Sequence, residues 1–144
     1  MNDFKGKHIL SIDYGTKKTG ISTYKVGIDP FPLLQDRVNN KTQQDLINSL
    51  KDIIEAEFID ILVLGIPYLT DGQESKKTLE VKKFKELLIK ELKLPVYEQD
   101  ETLTTEEAKD RMKNSPKFNF KIDLNLIDSL SASIILEDFL ANQS

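Results

Sequence analysis

The sequence contains no cysteine, no tryptophan, one histidine and two arginines, Arg37 and Arg111. Without thiols there is no disulfide, no thiolate nucleophile and no Cys-based zinc site. His8 alone cannot build a His-rich metal centre, so any metal must be a hard cation held by carboxylates. No apolar run approaches the roughly 18 residues of a membrane-spanning helix. The opening MNDFKGKHIL has no basic segment followed by a long apolar one. The expectation is a cytoplasmic protein with no secretory signal and no membrane partner. The net charge of −4 does not advertise nucleic-acid binding. A whole-chain sum hides local asymmetry, however, because seven lysines between Lys76 and Lys93 crowd one segment.

What is present suits a globular chain: 39% hydrophobic and 31% charged residues. A length of 144 residues fits one domain over 1–144, with no repeat or linker to divide it. HILSIDY (8–14) predicts a buried strand running into a tight turn, and TGISTYKV (19–26) a second strand hairpinned to it. FPLLQDRV (31–38) predicts a third, pushed to a sheet edge by Pro32. Thr42 opens a helix whose stripe is Leu46, Leu50, Ile53, Ile54 and Phe58. ILVLGIP (61–67) is the continuous apolar run of a central strand covered on both faces. Thr70 and Gln73 resemble a capping box for a helix over about 73–93, with Val81, Phe84, Leu88 and Leu92 as its stripe. PVYEQ (95–99) predicts a short strand. Thr104 with Glu107 predicts a start for a helix near 105–113. Residues 114–122 read as a loop, and a last helix runs from about 124 to 141. An antiparallel meander of three strands feeding two βα units predicts an α/β fold: a mixed five-stranded sheet with helices on both faces.

Three acidic positions stand out. Asp13 ends the first strand within SIDYGTKKTG, where Gly15 permits close backbone approach and Thr16 offers a hydroxyl. An Asp before Gly is also a common turn residue. Asp100 and Glu101 follow the strand PVYEQ. Both could favour the next helix N-terminus. Neighbours on a strand point to opposite faces, so a regular strand directs one of them at a shared site. Glu98, two residues before Asp100, is a minor candidate for the same face. Asp128 lies among Leu124, Ile127, Leu130, Ile134 and Ile135, where an unpaired carboxylate is costly to bury. It sits at the solvent edge, pairs with a lysine, or serves a site; the small Ser131 and Ala132 beside it let that helix approach the sheet. Carboxylates converging at strand ends repel unless a cation neutralises them. Oxygen-only ligands suit Mg²⁺ or Mn²⁺, and two such ions about 4 Å apart can activate water and stabilise the leaving oxygen of a phosphodiester.

Four blocks in order resemble the YqgF/RuvX family, a branch of the RNase H-like superfamily related to RuvC-type Holliday-junction resolvases. They are Ile12-Asp13-Tyr14-Gly15-Thr16-Lys17-Lys18 with Gly20; Gly65-Ile66-Pro67 with Asp71-Gly72; Asp100-Glu101 with Leu103-Thr104-Thr105; and Ile127-Asp128-Ser129 with Ala132 and Ile135-Leu136. The resemblance implies an RNase H-like fold and a nuclease that cleaves phosphodiester bonds with divalent metal. Its implied ligands are Asp13, the Asp100–Glu101 pair and Asp128, with Asp13 bridging both metals. The implied substrate is an rRNA precursor matured at the 5′ end of pre-16S rRNA, or branched DNA of the Holliday-junction type. A resolvase acting on two symmetric strands should be a homodimer, whereas an rRNA-end nuclease can be a monomer. Thr102 stands where the family usually carries arginine, and Ser131 replaces the first of a common Ala-Ala pair. Lysines must then supply nearly all phosphate contacts, and Lys17 and Lys18 beside Asp13 are the best placed. Lys76 and Lys77 are expected on a solvated helix face. Tyr14 is expected to pack, and Phe118 and Phe120 to cover the core.

Two other readings compete. The Asp13–Thr16 turn also resembles the phosphate loop of the actin and sugar-kinase fold, but that fold sandwiches its nucleotide between two such lobes. A non-catalytic RNase H-like module that binds RNA or protein would suit the acidic balance, yet would not need three mutually repelling acid sites.

Overall fold

The computed structural model describes residues 4–143. Strand β1 (His8–Asp13) pairs antiparallel with β2 (Lys18–Lys25), bringing Asp13 opposite Gly20. The expected third strand over 31–38 is instead two short strands, β3 (Leu33–Leu34) and β4 (Val38–Asn39), both antiparallel to β2. The sheet therefore has six strands rather than five. The intervening residues bond sideways instead: Gln35 donates its side-chain amide to Thr23 Oγ1 at 2.7 Å, and its carbonyl accepts from Ser129. Strand β5 (Ile61–Ile66) is buried throughout, and lies parallel to β1 on one side and to β6 (Val96–Asp100) on the other. The order across the main sheet is β3-β2-β1-β5-β6.

Helix α1 (Gln43–Glu57) starts where expected, with Thr42 accepting from the Asp45 amide. Phe58 does not join its stripe. It ends the helix in a left-handed conformation and is 82% exposed. Helix α2 (Lys76–Leu92) begins later than its sequence suggests, capped by a Ser75–Thr78 box rather than by Thr70 and Gln73. Residues 69–73 close a turn of their own, with Gly72 donating to Leu69 O at 2.8 Å. Thr78 additionally donates to the Pro67 carbonyl, which ties the start of α2 to the end of β5. Helix α3 (Thr104–Lys113) has Leu103 at its cap position with φ 63°, so buried Thr104 is the first helical residue and no side chain caps it. A short 3-10 turn at Pro116–Phe118 occupies the expected loop. The last helix, α4 (Ile127–Asn142), begins three residues later than 124, leaving Leu124 72% exposed.

Alternation along the strands assigns the two faces. Leu10, Ile12, Leu62 and Leu64 pack with Leu46, Ile47 and Leu50 of α1 and Val81, Phe84 and Leu88 of α2. Ile9, Ile61 and Val63 pack with Ile135, Leu136 and Phe139 of α4. Tyr14 packs, as expected, stacked on Phe84 with ring centroids 4.0 Å apart. Helix α3 covers the outer side of α4 through Ala108, Met112, Leu130 and Ile134, and Phe118 packs against this cluster. Phe120 does not cover the core; it is 61% exposed. Helix α4 is thus buried between sheet and helix, which is why its sequence is apolar on nearly every side.

Candidate metal centre

Asp13 is the last residue of β1 and shares the parity of Ile9 and Ser11, the face that looks at α4. Ser11 confirms that side by donating to the Ala132 carbonyl at 2.7 Å. On β6, Tyr97 faces Phe139 of α4, at 5.5 Å between centroids, while Glu98 reaches the other way to Lys85 at 3.0 Å. Continuing that alternation sends Glu101 to the α4 side with Asp13 and Asp100 to the opposite side. The side chains follow. Asp100 accepts from Thr102 twice, from its amide at 2.8 Å and its hydroxyl at 2.6 Å, which occupies its carboxylate within its own turn. Glu101 turns inward and shares a hydrogen bond with Asp13.

Gly65 makes the meeting possible. It lies on β5 one step beyond the Ile12–Leu64 pair and opposite Gln99 of β6, between the two acids. A Cβ there would stand 2.5 Å from Ile135 Cδ1 and 3.0 Å from Glu101 Cδ and Oε2. The missing side chain is the space the Glu101 carboxylate uses. Left-handed Leu103 then turns the chain from β6 into α3, with Glu101 donating its amide to Ile66 O and Thr104 donating to Glu101 O, each at 3.0 Å.

Electrostatically the pair is incomplete. Burial pushes Asp13 up to about 6; the Glu101 hydrogen bond opposes this, the Asp128 charge adds to it, and Lys77 opposes it. Burial pushes Glu101 up to about 10, reinforced by the charge of Asp13 and by the hydrogen bond in which Glu101 is the donor. Both shifts run upward, because a desolvated corner disfavours ionising two adjacent carboxyls at once. Two half-buried carboxyls held together, with the exposed Lys77 as the cation whose charge reaches both, are an oxygen-only site short of positive charge.

Asp128 stands in the first turn of α4, near enough for its charge to act on Asp13. It does not join the pair. Its Oδ2 lies 3.7 Å from the guanidinium of Arg37, in the break between β3 and β4. Among the described residues, no three acidic or histidine side chains form a ready-made ligand group. The close approach of α4 expected from small residues is real, and extends to the partner strand: a Cβ at Gly20 would fall 1.9 Å from the Asp128 carbonyl oxygen. A cleft of about 240 Å³ opens on the pair, lined by Asp13, Tyr68, Lys77, Glu101, Thr102 and Glu106 among others. Lys77 is the residue that sequence reasoning undervalued. It is exposed, but its charge acts on both Asp13 and Glu101. The available signal was its place in the first turn after the Gly-Ile-Pro loop. Lys17 and Lys18 are exposed at the β1–β2 turn, and Asn40 braces that turn by donating to the Thr16 carbonyl at 3.1 Å. His8, at the far end of β1, donates Nδ1–H to the Glu57 carbonyl and is remote from the acids.

A three-stranded antiparallel unit continued by parallel β5 and β6, with helices on both faces, is an RNase H-like fold. Among solved structures it resembles the Thermus thermophilus RuvC bound to a Holliday junction, with TM-score 0.62, 10% identity and coverage of 96% of this chain and 97% of that one. It also resembles the Fowlpox virus resolvase bound to Holliday junction DNA, with TM-score 0.54, 12% identity and coverage of 92% and 98%. A family model described as "RuvX: Holliday junction resolvase" matches residues 7–142, and the chain belongs to that family. A Maridesulfovibrio salexigens protein named "Putative pre-16S rRNA nuclease" is 36% identical over 135 residues, covering 92% of this chain and 97% of the relative. An Orientia tsutsugamushi protein of the same name is 36% identical over 131 residues, covering 91% and 82%.

Proposed function

We propose that the protein is a divalent-metal-dependent nuclease that trims the 5′ end of pre-16S rRNA, with Asp13 and Glu101 as its central ligands and Asp128 as the third. The observation that carries the reading is the meeting of Asp13 and Glu101 on the α4 face of the sheet, in the space that Gly65 leaves free and at the mouth of a cleft. A cation held there would remove the repulsion between the two carboxylates, and an oxygen-only donor set selects Mg²⁺ or Mn²⁺. Bound there, such an ion would supply a Lewis acid and a water of lowered pKa for phosphodiester cleavage.

The chain's own residues divide the remaining work. Asp13 at the end of β1 and Glu101 just past β6, on either side of β5, would hold and orient the ion, each as a carboxylate. Asp100 fixes the turn that presents Glu101. Lys77 places a cation at the rim of the cleft, where a substrate phosphate is drawn in, and Thr16, Lys17 and Lys18 extend that rim past Asp13. No histidine stands near to act as a general base. Membership of a Holliday junction resolvase family supports a second substrate, a four-way DNA junction.

The test is Mn²⁺- or Mg²⁺-dependent cleavage of labelled substrates by wild type and Asp13→Asn. The panel holds a 5′-extended small-subunit rRNA precursor, a four-way junction, and plain single and double strands. Metal-dependent cleavage that Asp13→Asn abolishes supports the nuclease, and the preferred substrate selects between precursor and junction. Unchanged cleavage by a folded Asp13→Asn protein would overturn the assignment.

A further inference from the structure

We infer that Arg37 is a resident counter-ion of Asp128 that a metal ion must outcompete, so that this arginine sets how tightly the centre binds its cation. The inference rests on the metal reading above. At 3.7 Å, the contact between Arg37 and Asp128 Oδ2 is an ion pair without a hydrogen bond. The guanidinium directs its hydrogen bonds elsewhere, to the Leu124 carbonyl at 2.8 Å and to Asn125 Oδ1 at 3.4 Å. It is anchored by the chain that leads into α4, not by the acid. Its charge therefore stays beside Asp128 whatever else that carboxylate binds, and opposes any cation that takes Asp128 as a ligand.

The backbone around Asp128 has its own supports. Ser129 donates to the Gln35 carbonyl, and the Asp128 carbonyl is seated against Gly20. What Arg37 adds is chiefly charge, and it is the arginine available to do so. Arg111 is engaged by Glu107 and Glu137 at 3.0–3.2 Å. The side chains of Arg37 and Asp128 are 19% and 32% exposed, so water and salt screen the pair only in part. This arrangement sets a positive charge beside Asp128 while the centre is empty of metal, and weakens the grip once metal arrives.

The experiment is calorimetric titration of Mn²⁺ into the full chain at low salt, without substrate. Arg37→Gln keeps an amide donor and loses the charge, and is expected to bind Mn²⁺ more tightly, by up to about tenfold. Arg37→Lys should stay near wild type. The gain should shrink as salt is raised and vanish in an Asp128→Asn background. A purely structural role predicts the opposite sign, because a loosened α4 lead-in weakens the site. Unchanged or weaker binding in Arg37→Gln, or an equal gain without Asp128, overturns the inference. Arg37→Met, which retains the apolar stem, gives the same reading should glutamine disturb the fold. Wild-type binding that Asp13→Asn abolishes is the control. Its absence would sink the metal reading and this inference with it, whereas its presence with no Arg37→Gln gain sinks this inference alone.

Discussion

Asp100 and Glu101 are adjacent acids with different environments, and substitution should separate them. Glu101→Gln is expected to abolish metal-dependent cleavage and Mn²⁺ binding. Asp100→Asn should keep most of both, because its carboxylate is occupied by Thr102; cleavage rates and titrations of the two variants check this. The acid pair also sets a pH dependence. In the metal-free protein, both members have folded pKa values above their ordinary ones. The folded state thus keeps protons that the unfolded chain releases from about pH 4 upward. The pair's contribution to stability is fully present in acid and is lost as pH rises through about 6 and on toward about 10. Glu101→Gln should therefore melt higher than wild type in chelator at pH 8, by about 3 °C for each 1 kcal/mol recovered. The gain should be smaller at pH 4.5, and a melting series from pH 4.5 to 9 measures it. The sequence brought these acids forward but did not choose between Asp100 and Glu101. Strand β6 is an edge strand with exposed residues on both sides, so its pattern does not reveal which face is inward.

At the scale of elements, the sequence was clearest where burial is uniform. ILVLGI lies in the centre of the sheet with every residue buried, and no alternative to a central strand suits such a run. It was least clear where bonding is decided by distant partners. The segment 31–38 has strand-like residues, yet Gln35 and Arg37 bond to α4 and its lead-in, 87 or more positions away, and the strand breaks there. The α2 cap was misplaced for a related reason: Thr78 is held by Pro67 as well as by Ser75. The junction of β2 with α4 yields a prediction of its own. Gly20→Ala puts a methyl group into the Asp128 carbonyl, where backbone rather than a flexible side chain must move. It should cost about 3 kcal/mol or more. Gly65→Ala meets the ends of Ile135 and Glu101 instead, so it should cost less stability but impair Mn²⁺ binding. Comparing thermal melts with metal titrations for the two alanine variants tests the distinction.

At the scale of the molecule, a net charge of −4 leaves few cations to meet a polyanion. If Lys17, Lys18 and Lys77 make the phosphate contacts, binding should weaken with salt at a log–log slope of about −2 to −3. Each lysine-to-alanine variant should flatten that slope by nearly one unit. Fluorescence anisotropy in metal-free buffer over a salt series measures this apart from cleavage, and an unchanged slope in Lys77→Ala would remove that residue from the interface. Among the described residues, no helix is long and apolar enough to cross a membrane.

The hydrogen bond from Ser11 to the Ala132 carbonyl joins positions 121 residues apart. A ribosome makes β1 well before α4, and until α4 is made the sheet face that it covers lacks that helix. Asp13, Gly65 and Glu101 have all been made by then, but the Ile135 side chain that backs Gly65 and the carboxylate of Asp128 have not. The nascent chain therefore lacks Asp128 and the packing behind Gly65 until α4 has emerged and docked. In physical terms, completion of the proposed centre waits on the order in which the chain is made.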